Sequence, residues 1–368
     1  MRAEGERYFS TAGTPWVKTL DLNNGEIIST DEKITDTALL ETSCSVFPVG
    51  TVLVAMYGGF NQIGRTGLLT IPAAINQALS GLILDRDKAE PAYILNYLNG
   101  NVKLWKKFAA SSRKDPNITR DDVCGFPVLL PPLAEQKKIA KILSTWDNAI
   151  SVTEKLLANS QQQKKALMQQ LLTGQKRLLD ENGVRFSGEW VYLTFDNAFI
   201  VANKKSTQVK SSDYLQSGSI PIIDQGQSRI AGYCNNLEVY SDVPVIVFGD
   251  HTRCVKWIEF VFCPGADGTQ VIKTSKILEP KLGYYLLSNT DIPNLGYSRH
   301  MRELKEKDFR LPLDIKEQQK IAAVLSAADA EISTLEKKLA CLRDEKKALM
   351  QQLLTGKRRV KVDEAVAE

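Results

Sequence analysis

The chain is poor in histidine. It has two, His251 and His300, both in the second half, so no histidine-based proton relay or metal site can recur in both halves. Its six cysteines (Cys44, Cys124, Cys234, Cys254, Cys263, Cys341) form no CxxC pair, which argues against a zinc ribbon or redox dithiol and for reduced thiols. Nowhere do about 18 uninterrupted apolar residues occur, and the opening MRAEGERYFSTAG lacks an apolar core, so neither a membrane span nor a secretion signal is expected, and the cytoplasm is. Nucleotide-binding loops are missing as well. The segment Gly58–Gly67, GGFNQIGRTG, has neither the GxGxxG spacing nor the Lys-Ser/Thr ending of a phosphate cradle, and it reads as a glycine-rich turn between strands. Asp250-His251, in VIVFGDHT, reads as a turn after a strand. No Asn-Pro-Pro-aromatic tetrapeptide, of the kind amino-methyltransferases use, is present. These absences leave no catalytic residue and no metal ligand to name, and no cofactor is expected on this chain. A large excess of one charge is also lacking: 47 basic against 43 acidic residues give a net +4, so an affinity for polyanions has to rest on local clusters.

What is there is a duplication. Glu135–Gly174 recurs without a gap as Glu317–Gly356, and the run KALMQQLLTG is identical in both (Lys165–Gly174 and Lys347–Gly356). The interval is far longer than the roughly 20 to 50 residues of a solenoid repeat, so the chain is two halves, each ending in the same helix. In the second copy Ile321, Leu325, Ala328, Ile332, Leu335, Leu339, Leu342, Leu349 and Leu353 alternate spacings of four and three, interrupted at Lys346. The first copy has Ile139, Leu143, Trp146, Ile150, Leu157, Leu167 and Leu171, with polar Ser160 and Lys164 between. These are heptad seams. Each follows a proline-bearing segment and ends at glycine, the start and stop signals of a helix. About 40 residues at a 1.5 Å rise make a rod of roughly 60 Å. Such a rod cannot bury its seam on one small domain, so the two copies are expected to pair as a coiled coil, antiparallel if the halves share a two-fold relation. Identity in LMQQLLTG exceeds what a seam needs, which suggests a shared partner reading the same surface twice through Leu167, Met168, Leu171, Leu172 and Leu349, Met350, Leu353, Leu354.

The stretches ahead of the helices diverge. Short β-branched runs, such as Thr51–Ala55 and Val243–Phe248, alternate with Gly, Asn, Asp and Pro turns. A helix opens at Glu-Pro in each half, at Glu90-Pro91 and Glu279-Pro280. The expected fold is α+β: two globular domains of twisted, mostly antiparallel sheet with short helices, separated by two long helices, with an internal pseudo-two-fold repeat. The boundaries read as 1–130, 131–178 (first long helix), 179–312, 313–358 (second long helix) and a disordered tail, 359–368.

Local charge is more informative than the total. Lys103, Lys106, Lys107, Arg113, Lys114 and Arg120 cluster against a single acid, Asp115, and Tyr297-Ser298-Arg299-His300-Met301-Arg302 leads into Lys305. Lys and Arg neutralise phosphates, while Asn, Gln, Ser and Tyr can read base edges. Taken alone, such runs are more often solvated faces than DNA contacts.

At the paired segments LPPLAEQKKIAKIL and LPLDIKEQQKIAAVL, each leading to LMQQLLTG, the chain resembles the specificity subunit of type I restriction-modification systems. GTPWVKTLDLNNG (Gly13–Gly25), INQAL (Ile75–Leu79), IPIIDQGQ (Ile220–Gln227), GADGTQV (Gly265–Val271) and YSRHMRELK (Tyr297–Lys305) are similar to recurrent pieces of that family's target-recognition domains. The resemblance implies that each domain grips one half of a bipartite, asymmetric site on double-stranded DNA and that the helices set the spacer. It also implies two docked methyltransferase subunits, which carry S-adenosylmethionine, with restriction and translocase subunits in the same assembly, in a bacterial or archaeal cytoplasm. This chain would then be a non-catalytic address reader. Candidate DNA-binding residues are Lys18, Thr19, Asn61, Gln62, Arg65, Ser112, Arg113 and Lys114 in the first domain. In the second they are Lys204, Lys205, Gln225, Gln227, Arg229, Tyr297, Ser298, Arg299 and His300. One departure stands out: Gly188–Leu193 opens the second domain about 30 residues before Ile220-Pro221, whereas the similar Pro15-Trp16 lies close to Met1, so the first domain lacks the opening β-segments. A coiled-coil interaction scaffold without DNA readout, and an enzyme working alone, are the rival readings.

Overall fold

The computed structural model describes residues 5–59, 61–109, 117–294, 296 and 298–362. They form two compact units, and each draws on two stretches of chain: residues 1–154 with 337–368, and residues 155–336. Two helices dominate, Leu133–Leu172 and Ile315–Leu353, a few residues shorter at both ends than the sequence suggests.

In the first unit the start of the first long helix runs antiparallel to the end of the second. Lys346 pairs with Asp147, and Arg343 with Glu154 at 2.7 Å, so one number rises as the other falls. The second unit repeats the arrangement with the other ends, Ser160 donating to Glu331 at 3.0 Å and Lys164 pairing with Asp329 at 2.5 Å. The expected antiparallel pairing is therefore present in both units, and the heptad positions are buried or half-buried along both helices. Polar members of the seam are accounted for. Ser160 and Lys164 find acids on the facing helix, and Thr153, buried between Ile150 and Leu157, donates to the Ala149 carbonyl at 2.7 Å. Polar groups in a seam weaken it but fix its register.

The globular part of the second unit is mostly antiparallel sheet. Phe199–Val201, Thr269–Thr274, Val245–Gly249 and Val255–Ile258 make one sheet; Gly232–Cys234, Ile220–Ile223 and Cys263–Pro264 make another, with the last two parallel. Trp190–Thr194 pairs with Asp308–Pro312. The first unit has a related sheet, Thr66–Leu69, Val52–Ala55 and Leu79–Leu82 antiparallel with Glu26–Ile27 parallel to Thr66–Leu69 at one edge, and a five-stranded sheet where Thr14–Val17 runs parallel to Ala73–Ile75. Helices Pro91–Gly100 and Pro280–Ser288 open at the two Glu-Pro steps.

The two units differ at their sheet edges. Among the described residues nothing pairs with the segment ahead of its long helix or with the outer edge of Leu79–Leu82. Leu129 is 48% exposed, whereas Leu311, at the matching repeat position, is fully buried beside Phe195, Phe199 and Phe309.

A polar node sits where each long helix begins. Gln318 donates to the Ile277 and Pro312 carbonyls at 2.9 and 2.7 Å and accepts from the Glu279 N–H at 2.7 Å. Gln136 does the same with Lys88, Pro131 and Glu90. Next to them, Glu317 holds Arg177 in a two-point bridge at 2.5 and 2.7 Å, and Glu135 holds Arg359 at 2.8 and 2.6 Å. Arg359 and Val360, expected in a disordered tail, are thus tied down, with Val360 against the first unit's core; residues 363–368 lie outside the described residues.

Of the eight leucines and methionines expected to receive a partner, four are buried inside the units, which corrects the expectation for those four, and the other four are half-buried against the same cores. Leu171 and Leu172 belong to the second unit's core, with Leu167 and Met168 against it. Leu353 and Leu354 belong to the first unit's core, with Leu349 and Met350 against it. The buried members of the identical run fill two homologous pockets, so their identity needs no outside reader.

Glu317 is fully buried and the Arg177 side chain is 20% exposed, whereas the Arg359 side chain is 67% exposed. Arg177→Ala leaves a buried carboxylate unpaired and is expected to cost about 3–5 kcal/mol in urea unfolding, with Arg359→Ala costing clearly less; equal losses would show that burial does not set the difference. The Arg359 guanidinium holds the Glu135 carboxyl below its ordinary 4.5, with help from the Val360 N–H. A depressed carboxylate stabilises fully above its unfolded value, and the contribution is lost as pH falls through the folded one. The stability gap between the parent and Glu135→Gln should therefore shrink as pH falls below the ordinary 4.5; a gap that stays constant would remove this pair from the acid sensitivity.

Candidate nucleic-acid interface

In each unit two loops meet at one end of the sheets. One follows the strand of the parallel pair, Thr14–Val17 or Ile220–Ile223. The other is the hairpin turn after the most buried strand, Val52–Ala55 or Val245–Gly249. In the first unit Thr19 lies by Gly58, whose Cβ, if present, would stand 3.9 Å from the Thr19 methyl. In the second, Gln225 meets the turn Asp250–Arg253, accepting the His251 N–H on Oε1 at 3.1 Å and the Thr252 hydroxyl on its carbonyl. Gly58, Gly59 and residues 61–65, like Asp250-His251, lie in the turns that the sequence suggests. Gly58, Gly59 and Gly64 take positive φ there, and a side chain at Gly64 would collide with Trp105.

Among the first unit's candidates, Lys18 is committed to an ion pair with Glu32 at 2.6 Å, which raises its pKa above 10.5. Arg65 donates to Gln62 Oε1 at 2.9 Å, and Asn61 is exposed on the same turn. The structure thus brings together Thr19, Asn61, Gln62 and Arg65. Ser112, Arg113 and Lys114 lie outside the described residues. Lys103 and Lys107 are exposed on the helix Val102–Ala109.

In the second unit Gln225, Gln227 and Arg229 share one loop, with the Arg229 guanidinium over the Phe260 ring at 5.6 Å. Lys204 and Lys205 are exposed, Lys204 over the Tyr240 ring at 5.1 Å. Their loop is tied to the sheet by Asn203, which donates to Gln270 at 2.6 Å and accepts from the Val271 N–H at 2.7 Å. Arg299 is exposed and Ser298 half-buried; Tyr297 lies outside the described residues. His300 is a correction. It is fully buried, and its N–H and Nδ1 both lie 2.8 Å from the Asp250 carbonyl, so it props the loop from within and does not face a duplex.

Lys256 was not singled out by sequence reasoning, because a lysine in a β-run reads as outward-facing. Its ammonium is buried and donates to the Asp224 and Ser228 carbonyls at 2.8 and 2.7 Å, closing the 224–228 loop from behind. Burial pushes its pKa down, with Cys254 and Asp224 opposing. Among the described residues no group of acids, histidines and cysteines could hold a metal, and no helix is long and apolar enough to cross a membrane.

Residues 4–159 match the model of the type I restriction modification DNA specificity domain. The chain is 27% identical over 341 residues to a protein of Methanocaldococcus jannaschii named for the type I restriction enzyme MjaX specificity subunit, covering 85% of this chain and 79% of that one. It is 22% identical to the EcoR124I/EcoR124II specificity subunit of Escherichia coli, over 40% of this chain and 37% of that one. Among solved structures, the S subunit of a type I restriction-modification system from M. genitalium superimposes with a TM-score of 0.63 at 15% identity, covering 95% of this chain and 90% of that one.

Two exposed cations, Lys205 and Arg299, allow the candidate interface to be tested. Lys205→Ala is expected to weaken binding to all duplexes alike and to lower the slope of log affinity against log salt by about one. Arg299→Ala is expected to relax one base position. Quantitative binding at several salt concentrations separates the two, and an unchanged sequence preference in Arg299→Ala would remove it from the readers.

Proposed function

We propose that the chain is a type I specificity subunit, whose two units read the two halves of a bipartite, asymmetric DNA site while the paired helices fix the spacer. The observation that carries this is the contrast within the repeat. The frame is duplicated down to its buried hydrogen bonds, whereas the loops at the meeting point of the sheets differ in sequence between the units and carry Asn, Gln, Ser, Lys and Arg. A shared frame with unlike loops suits two different base sequences, because phosphate contacts need only cations whereas base edges need particular donors and acceptors.

The chain supplies the address and no chemical step. Methyl transfer from S-adenosylmethionine belongs to two modification subunits, and cleavage and translocation to further subunits of the cytoplasmic assembly. The modification subunits dock on the outward positions of the duplicated run, since Lys165, Gln169, Gln170 and Lys347, Gln351, Gln352 are exposed and the same in both copies.

The test is a matched insertion of seven residues in both long helices, after Leu157 in the first and after Glu336 in the second. Seven residues preserve the heptad seam and add about 10 Å, roughly three base pairs at 3.4 Å each. The methylated motif of cells carrying the variant should keep both half-sites and gain about three spacer positions. An unaltered spacer would sink the ruler role. Duplex binding insensitive to salt would favour a protein scaffold instead, since phosphate neutralisation demands a steep dependence.

A further inference from the structure

A single turn in the second unit is bonded to three separate loops. The Asp250 N–H donates to the Gly268 carbonyl at 2.7 Å. Its carbonyl accepts from the His300 N–H and from His300 Nδ1, and its Oδ1 accepts from the Met301 N–H at 2.7 Å. His251 donates its N–H to Gln225 Oε1 and its Nδ1 to the Ser298 carbonyl at 3.2 Å. Since a carbonyl only accepts, both imidazoles carry a hydrogen on Nδ1. A Cβ at Gly268 would lie 2.5 Å from Gln225 Oε1 and 2.7 Å from His251 Cδ2, so the packing admits no side chain there. Asp250 is buried, and the His251 side chain is 11% exposed. Neither presents a charge to solvent in the way Arg299 or Arg229 does.

We propose that the Asp250–His251 turn is a specificity-positioning device: it sets where the Ser298–Arg302 loop stands relative to the Gln225–Arg229 loop, without itself touching DNA. The proposal rests on the DNA-reading function above and adds residues to it. Base recognition requires side chains held within about 0.5 Å of their working geometry by a supporting shell. Here two side chains of one turn, Asp250 and His251, grip the backbone on both sides of Arg299, at Ser298 and Met301, while the same turn holds Gln225 and Thr252 holds its carbonyl. Cutting either grip frees the arginine to sample rotamers and so blurs which base it meets. The charge it brings to the phosphates is unchanged.

The experiment is selection of bound sequences from a randomised duplex library by the full chain and its variants, alongside affinity for a non-cognate duplex. Asp250→Ala should lower discrimination about tenfold, the size of one base contact, at one or more positions of a single half-site. The other half-site and the non-cognate affinity should stay within about twofold, because cations are untouched. Asp250→Asn, whose Oδ1 still accepts from Met301, should restore the preference. Should Asp250→Ala lose its cooperative thermal transition, His251→Ala carries the test, since it keeps the backbone bond to Gln225 and removes the imidazole's tie to Ser298 together with its 4.0 Å approach to Asp267; His251→Asn, with a side-chain donor, should recover part of the loss. Undiminished discrimination in folded Asp250→Ala or His251→Ala overturns the proposal. So does a fall in non-cognate affinity equal to the fall in discrimination, which would make these residues contacts. A parent chain that selects no motif would overturn the DNA-reading function, a result distinct from either.

Discussion

Everything in the frame depends on keeping two buried polar nodes satisfied. A glutamate and a glutamine stand side by side at the start of each long helix, both shielded from water. Left unmatched, either would cost more than a cavity of similar size, because a carboxylate or amide stripped of hydration gains nothing from apolar neighbours. Each glutamine is saturated by one N–H and two carbonyls, and each glutamate is held by an arginine that follows the other long helix. That demand reaches from the helix start to the loop before Pro91 or Pro280, and on to the chain beyond Gly174 or Gly356. Substitution at any corner strands the others. The two copies have stayed alike here for that reason, while positions between the nodes have drifted.

The recognition end obeys a different rule. Its loops need donors and cations at the surface, and what keeps them in place lies beneath: Lys256 closing the 224–228 loop, and the turn after Val245–Gly249 gripping its neighbours. Loops with fully satisfied backbones can change their outward side chains at little cost to stability. The frame can thus hold still while the address changes.

The periodic parts of this architecture were legible in the sequence. Spacings of four and three predict the seam, and the Glu-Pro steps predict two short helices. Partners of the polar seam residues were not legible, since Ser160–Glu331 and Lys164–Asp329 depend on a register that only coordinates give. Leu171 and Leu353 were misread because identity beyond the heptad was credited to an outside protein, whereas a duplicated internal pocket imposes the same identity. His300 sits in a basic, polar run that looks solvent-facing. Its burial is decided by the Asp250 carbonyl, remote in sequence.

The first unit needs residues 337–362 to close, although its sheets are made at the beginning of the chain. Between Glu154 and Lys337 a ribosome adds about 180 residues, which at 5–20 residues per second takes roughly 10 to 40 seconds. Throughout that interval the pocket that Leu353 and Leu354 will fill is open, and Ile139 and Leu143 have no facing helix. The second unit, using only residues 155–336, can finish earlier. The unit begun first is therefore the last that can close.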